Sequence, residues 1–299
     1  MNTYRRISRR HFMASSLAGA VALGWGAKLR AQEPRPDRWV LLADIHIPAD
    51  RDQANGKPPI KPVEKFAAMR SEVLALDYRP DGVIIAGDCV YLHGQHEDYV
   101  TLKGEVQPFV DAGIPLHLSM GNHDNREQFW EVFAEHQKYS ANTVEGKHAY
   151  ILDAPRATWF VLDSNRETNY TPGEFGEAQL EWLANELDQR PDKPALLIAH
   201  HYPEGKNGLL DFAAFWDVIL PRKQVKAYIY GHSHAWSEQQ REGIHFINLP
   251  GMAWLFSTEG VPRAWVEAAI HDDRAEFNVH VMNDVTLPQD GKYTFPWRV

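Results

Sequence analysis

Histidine, aspartate and asparagine gather at five places along the chain: Asp44 with His46, Asp88, Asn122-His123-Asp124, His200-His201, and His232 with His234. Clustered imidazoles repel one another once charged, so such a grouping favours something bound among them. The oxygen and nitrogen donors form a hard-to-borderline set that suits Zn, Mn, Fe or a similar ion. Cys89 is the only cysteine, which excludes both an internal disulfide and a cysteine-based zinc site. The set is large for one four-coordinate ion and natural for two metals sharing a carboxylate. Two ions about 3.5–4 Å apart can hold a phosphate between them, generate hydroxide near neutral pH and stabilise developing charge.

These residues close short apolar runs. "WVLLADIH" ends in Asp44 and His46, "GVIIAGDC" contains Asp88, and "PLHLSMGNHD" ends in Asn122, His123 and Asp124. "ALLIAHH" ends in His200 and His201, and "AYIYGHSH" in His232 and His234. Each run reads as a strand bounded by turn residues. Helical patterns lie between most of them: Val63 to Leu74, Val106 to Val110, Phe129 to Phe133, Leu180 to Leu187 and Leu210 to Ile219. These aromatic and leucine stripes read as core packing. Alternating strands and helices imply βαβ units and largely parallel strands, whose carboxyl ends share one edge. If the chain stays extended beyond each strand, Asp44 and His46 point the same way, and so do His232 and His234.

Asp44-Ile45-His46, Gly87-Asp88, Gly121-Asn122-His123-Asp124, His200 and Gly231-His232-Ser233-His234 occur in an order and spacing that resemble the calcineurin-like metallophosphoesterase superfamily. The resemblance spans residues 44–234. It implies an α/β fold, a four-layer α/β/β/α sandwich of two mixed sheets with helices outside. It also implies that Asp44, His46 and His234 hold a first metal, that Asp88 bridges, and that Asn122, His200 and His232 hold a second. The two ions would be divalent or mixed-valence, drawn from Fe, Mn or Zn. His123 would touch substrate or protonate the leaving oxygen, with Asp124 orienting its ring. A glycine before each motif lets backbone pass close to the metals. The implied activity is hydrolysis of a phosphate monoester or diester by metal-bound hydroxide. The competing reading is a non-catalytic scaffold protein of the same fold, in which gaps in the ligand set are expected.

Duller roles stand beside these. Asp88 could cap a helix and Asn122 could be a turn residue. His201 competes with His200 for one ligand position, although the family's ligand stands first after the strand. Asp163 also ends a strand but lies outside the motif set and reads as structural. His93 and His96 either line the substrate mouth or are solvated loop residues, and Cys89 needs no role beyond packing. The Pro-rich stretch after His46 reads as a rim loop. Tyr91 stands three residues after Asp88, where purple acid phosphatases in this superfamily carry a tyrosine ligand. Those enzymes lack the histidine found here at His46, so one position has two candidates, and the neutral imidazole is the easier ligand near pH 7.

The 299 residues suffice for one large domain, and we expect it over residues 39–299 after a short linker at 32–38. Residues 1–31 read as a signal peptide with a basic start, a modest apolar stretch and small residues near the end. Ser8-Arg9-Arg10-His11-Phe12-Met13 resembles the twin-arginine signal, which implies a periplasmic or secreted protein without a stable membrane anchor. Cleavage would remove six basic residues and no acid, moving the formal charge from −9 to −15. So acidic a chain is unsuited to general nucleic-acid or anionic-membrane binding, and the expected partner is a small phosphorylated substrate.

Overall fold

The computed structural model describes residues 35–56, 59–140, 143–253 and 261–299. The expected signal peptide lies outside the described residues. Pro36–Val299 forms one compact unit.

The chain opens with β1 (Asp37–Leu42), α1 (Pro62–Leu74), β2 (Gly82–Ile85), α2 (His96–Asp111) and β3 (Leu116–Leu118). Next come α3 (Arg126–Val132), α4 (Ala134–Ser140), β4 (Tyr150–Asp153), β5 (Thr158–Val161), α5 (Glu177–Asp188) and β6 (Ala195–Ile198). The last part holds α6 (Phe212–Ile219), β7 (Val225–Tyr230), β8 (Ser237–Arg241), β9 (Ile244–Asn248), β10 (Ala264–Ile270), β11 (Arg274–Val281) and β12 (Lys292–Pro296).

Two six-stranded sheets result, ordered β12-β11-β10-β1-β2-β3 and β4-β5-β6-β7-β9-β8. β1, β2 and β3 pair in parallel, as do β5, β6, β7 and β9, while β10 to β12, β4 and β8 join antiparallel. The five runs that carry the chemistry are therefore divided, three in one sheet and two in the other.

Strand alternation assembles the layers. Trp39, Leu41 and Ile84 of the first sheet meet Trp159, Leu196 and Ile229 of the second in the core between the sheets. The intervening Val40, Leu42 and Val83 pack with Phe66 of α1 and Phe109 of α2 on the outer side. Leu197 and Tyr228 pack likewise with Leu183 of α5 and Phe215 of α6. The result is a four-layer α/β/β/α sandwich. Strands buried on both faces have no polar side to show, which is why the sequence reads as unbroken apolar runs.

α2 begins ten residues before the Val106 stripe, at a capping box in which Gln95 and Asp98 satisfy each other's backbone N–H groups. Its N-terminus carries the exposed His93 and His96, the latter beside Glu97. Among the described residues, no helix is long and apolar enough to cross a membrane.

Candidate metal centre

The ligand-bearing segments do not continue as extended strands. β1 ends at Leu42, and Asp44 and His46 have φ of +53° and +46°. Asp88, His232 and His234 are likewise left-handed at +48°, +69° and +59°. The expected convergence by strand alternation is thus corrected: tight turns, not extended chain, aim these side chains. Such φ values cost non-glycine residues roughly 1–2 kcal/mol each. Backbone bonds between the turns hold them there, from Asp44 N to Gly87 O (3.2 Å), His46 N to Asp88 O (3.0 Å) and Ile47 N to Cys89 O (3.1 Å). Strain held in place this way is a mark of a functional site.

Two groups of donor atoms form. In the first, Asp44 Oδ1 lies 3.1 Å from His234 Nε2, and His46 Nε2 lies 3.4 Å from the same nitrogen. In the second, His200 Nε2 lies 3.2 Å from both Asn122 Oδ1 and His232 Nδ1. Asp88 Oδ2 belongs to both, 3.8 Å from His46 Nε2 and 3.3 Å from His200 Nε2. The other carboxylate oxygens are fixed by backbone donors: His232 N donates to Asp44 Oδ2 (3.0 Å) and His123 N to Asp88 Oδ1 (2.9 Å).

The residues present fit metal ions. Bonds of about 2.0–2.2 Å at tetrahedral or octahedral angles put neighbouring donors about 3.0–3.5 Å apart, the spacing of the nearest donors in each group, with His46 Nε2 standing wider at 3.8 Å from Asp88 Oδ2. Two neutral imidazole nitrogens at 3.4 Å cannot satisfy each other without a proton or cation between them. His200 Nδ1–H donates to the Ala86 carbonyl (2.9 Å), which leaves Nε2 as the atom facing the group.

Protonation fits as well. Burial pushes His46 down to about 3 and His232 to about 4, so both are neutral at pH 7. Burial works against ionised Asp44 and Asp88, yet His234 beside the first and His200 beside the second hold them below the usual carboxylate range. His200 is the exception. Burial opposes its charge, but Asp88 and Asp44 raise it to about 9, so a cation bound there displaces a proton.

Close approach explains two glycines. A Cβ on Gly121 would stand 2.2 Å from both N and Oδ1 of Asp88, and one on Gly231 would stand 2.6 Å from Asp44 Oδ2.

The neighbours of the cluster sort themselves by contact. His123 reaches within 4.0 Å of Asp88 Oδ2 through Nε2 and donates from Nδ1 to the Leu92 carbonyl at 2.7 Å. The contact expected from Asp124 to this ring is therefore corrected. The Asp124 carboxylate instead accepts from Gly121 N (2.8 Å), Cys89 N (3.2 Å) and the Tyr99 hydroxyl (3.2 Å), bracing the Asp88 and Asn122 loops against each other. Burial and the Asp88 charge push it up to about 7.

His201 belongs to neither donor group; its ring lies 4.8 Å from that of His232 and its Nδ1 meets Ser164 Oγ at 2.8 Å. Asp163 forms a two-pronged ion pair with Arg126, at 2.6 and 2.8 Å. Cys89 is fully buried. Tyr91 is half-buried, its backbone N bonded to Ile47 O (3.2 Å), beside the turn that carries His46. The carbonyls of Leu92 and Ala86 left no mark in the sequence. Tyr202, whose ring lies 5.4 Å from that of His232, was signalled only by following His200-His201 directly.

The family model for calcineurin-like phosphoesterases matches residues 38–236. This chain belongs to that family. A 3',5'-cyclic-nucleotide phosphodiesterase of Nostoc is 25% identical over 235 residues, covering 76% of this chain and 82% of that relative. A protein of Arcobacter nitrofigilis, named a probable glycerophosphodiester phosphodiesterase, is 28% identical over 206 residues, covering 65% and 71%. The crystal structure of a dimetal phosphatase from Danio rerio shares the fold at a TM-score of 0.66 and 17% identity, covering 89% of this chain and 100% of that one. As a family member with this ligand set, the protein is a metal-dependent phosphoric ester hydrolase.

Proposed function

We propose that the protein is an exported dinuclear phosphoesterase that hydrolyses small phosphodiesters. The observation that carries this reading is the pair of donor groups joined through a single Asp88 oxygen. Asp44, His46 and His234 would hold one ion, Asn122, His200 and His232 the other, and Asp88 both. Ions held there would supply an activated water near neutral pH and offset charge on the phosphate.

The chain's own groups account for the remaining requirements. The Leu92 carbonyl holds the Nδ1–H of His123, so Nε2 is the atom that faces the phosphate, and a proton carried there would pass to the leaving oxygen and leave the neutral Nδ1–H imidazole behind. Asp124 acts through the loops that it braces. The relatives named for cyclic nucleotides and glycerophosphodiesters favour a diester over a monoester. The scaffold alternative calls for gaps in the ligand set, and every one of its seven positions carries a side chain able to ligate.

A substrate panel on metal-reconstituted protein, comparing monoester with diester reporters, tests this reading. Turnover of diesters at least about tenfold above monoesters is expected. Monoester turnover alone would replace it with a phosphatase.

A further inference from the structure

Next to the second donor group stands a wall made of two loops, residues 163–176 and 202–211. Gly173 and Leu209 form an isolated bridge between them, with Gly173 N bonded to Gly208 O (2.9 Å) and Leu210 N to Gly173 O (2.9 Å). The Asp211 carboxylate adds bonds from Phe175 N (3.0 Å) and Gly176 N (2.8 Å).

The first loop is fastened to the metal-site turn. Asn165 Nδ2 and Thr168 Oγ1 donate to the Asp124 carbonyl at 2.8 and 3.0 Å, and Asn169 N bonds to the carbonyl of Asn122 itself. From below, Lys147 Nζ donates to the carbonyls of Asp163, Asn165 and Glu174 at 3.2, 2.9 and 3.0 Å. Asn169 is left-handed at φ +61°, and the chain leaves that dock at Tyr170.

Two aromatic rings on this wall keep part of their surface outside the core, although Tyr202 also packs against the apolar cluster of Phe175 and Phe215. Tyr170 is 50% exposed, unusual for so large a ring, and the Arg166 guanidinium lies over it at 5.1 Å. Tyr202 is half-buried, tilted 33° against His232. Glycines crowd its other edges: a Cβ on Gly205 would come within 3.2 Å of Tyr202 Cε2, and one on Gly208 within 3.0 Å of Cδ2. The Tyr202 ring is thus held before any ligand arrives, and Tyr170 stands on a loop whose backbone is fastened and needs little ordering to bind.

We propose that Tyr202 and Tyr170, with Arg166, form the specificity wall that receives the organic group of the substrate, and that this group is a flat heteroaromatic such as a nucleobase. Phenol rings and a guanidinium plane present π-faces and edge donors, which gain from a base and little from glycerol or ethanolamine. The inference rests on the phosphodiesterase reading and names the part of the substrate that the same site selects.

The test is equilibrium binding of AMP, glycerol 3-phosphate and inorganic phosphate to the metal-reconstituted full chain. Wild type should bind AMP about tenfold or more above the other two. Tyr170→Ala and Tyr202→Leu should each erase most of that advantage, with metal content retained, while Tyr170→Phe keeps it. Tyr170 is exposed and touches no proposed ligand, so its variant remains informative should Tyr202→Leu lose metal or fail to fold. No AMP preference in wild type, a preference surviving Tyr170→Ala, or equal weakening for all three ligands would each overturn the wall. Hydrolysis of diesters with and without a base is measured separately. Absence of both would sink the phosphodiesterase reading, while the binding ratios still report on the wall.

Discussion

At the scale of single residues, the assignments separate by what each loss should leave behind. Asp88 lies in both donor groups, so Asp88→Asn should empty both and lower turnover by more than the roughly 10- to 100-fold typical of a partner that only supports a ligand. His123→Ala should keep the metals and lower turnover by about 10²–10⁴, the range for a lost general acid or base. Metal analysis beside steady-state rates checks the pair. An emptied site in His123→Ala with a filled, active one in Asp88→Asn would reverse the roles. The contest between His46 and Tyr91 is decided the same way. His46 Nε2 stands among the donors of the first group, so His46→Ala should weaken that ion, whereas Tyr91→Phe should keep both metals and most activity. A tyrosinate-to-iron absorption band that disappears in Tyr91→Phe would show the opposite. The residues that the structure gathers into the two donor groups were all marked in the sequence, because each follows an apolar run and belongs to an ordered series. The partner of the His123 ring was not legible, because a backbone carbonyl carries no residue identity.

At the scale of elements, the five apolar runs announced β1, β2, β3, β6 and β7, and the stripes announced five helices. Other elements gave weaker signals. β8 reads Ser-Glu-Gln-Gln-Arg and is exposed throughout, so no alternation marks it. α4 is a short polar helix of seven residues. The left-handed turns were equally hidden, since aspartate and histidine do not demand positive φ as glycine so often suggests it. What the turns require is room, and Gly121 provides it. Gly121→Ala puts a methyl against Asp88 with no flexible neighbour to yield, so metal affinity should fall at least tenfold even where the variant folds. Wild-type affinity in Gly121→Ala would mean that the Asp88 turn is looser than its contacts imply.

At the scale of the whole molecule, division of the strands between two sheets was not readable from the runs alone; it came with the family resemblance. A further whole-molecule property lies in three buried histidines outside the site. His117 of β3, His136 of α4 and His148 beside β4 share an aromatic cluster with Phe129, Tyr139 and Tyr150. Burial lowers each to about 4 from an ordinary value of 6.5, with Lys103 and Lys138 adding to the effect at His136 and Glu135 opposing it. A histidine depressed in the folded state leaves the unfolded chain to take up the proton first. Stability should therefore fall as pH drops from about 6.5 towards about 4, and His136→Phe should flatten part of that slope. Thermal melts across this range check it, and a flat profile in wild type would contradict it. Export is a separate whole-chain expectation: Arg9→Lys with Arg10→Lys should strand the precursor inside the cell, while unchanged export would point to the Sec route. The central claim is that one carboxylate joins two metal sites, and metal stoichiometry tests it most directly. Elemental analysis of purified, metal-replete protein should find close to two ions per chain, with activity lost on chelation and regained on their return. One ion or none, with diester hydrolysis intact, would contradict the account.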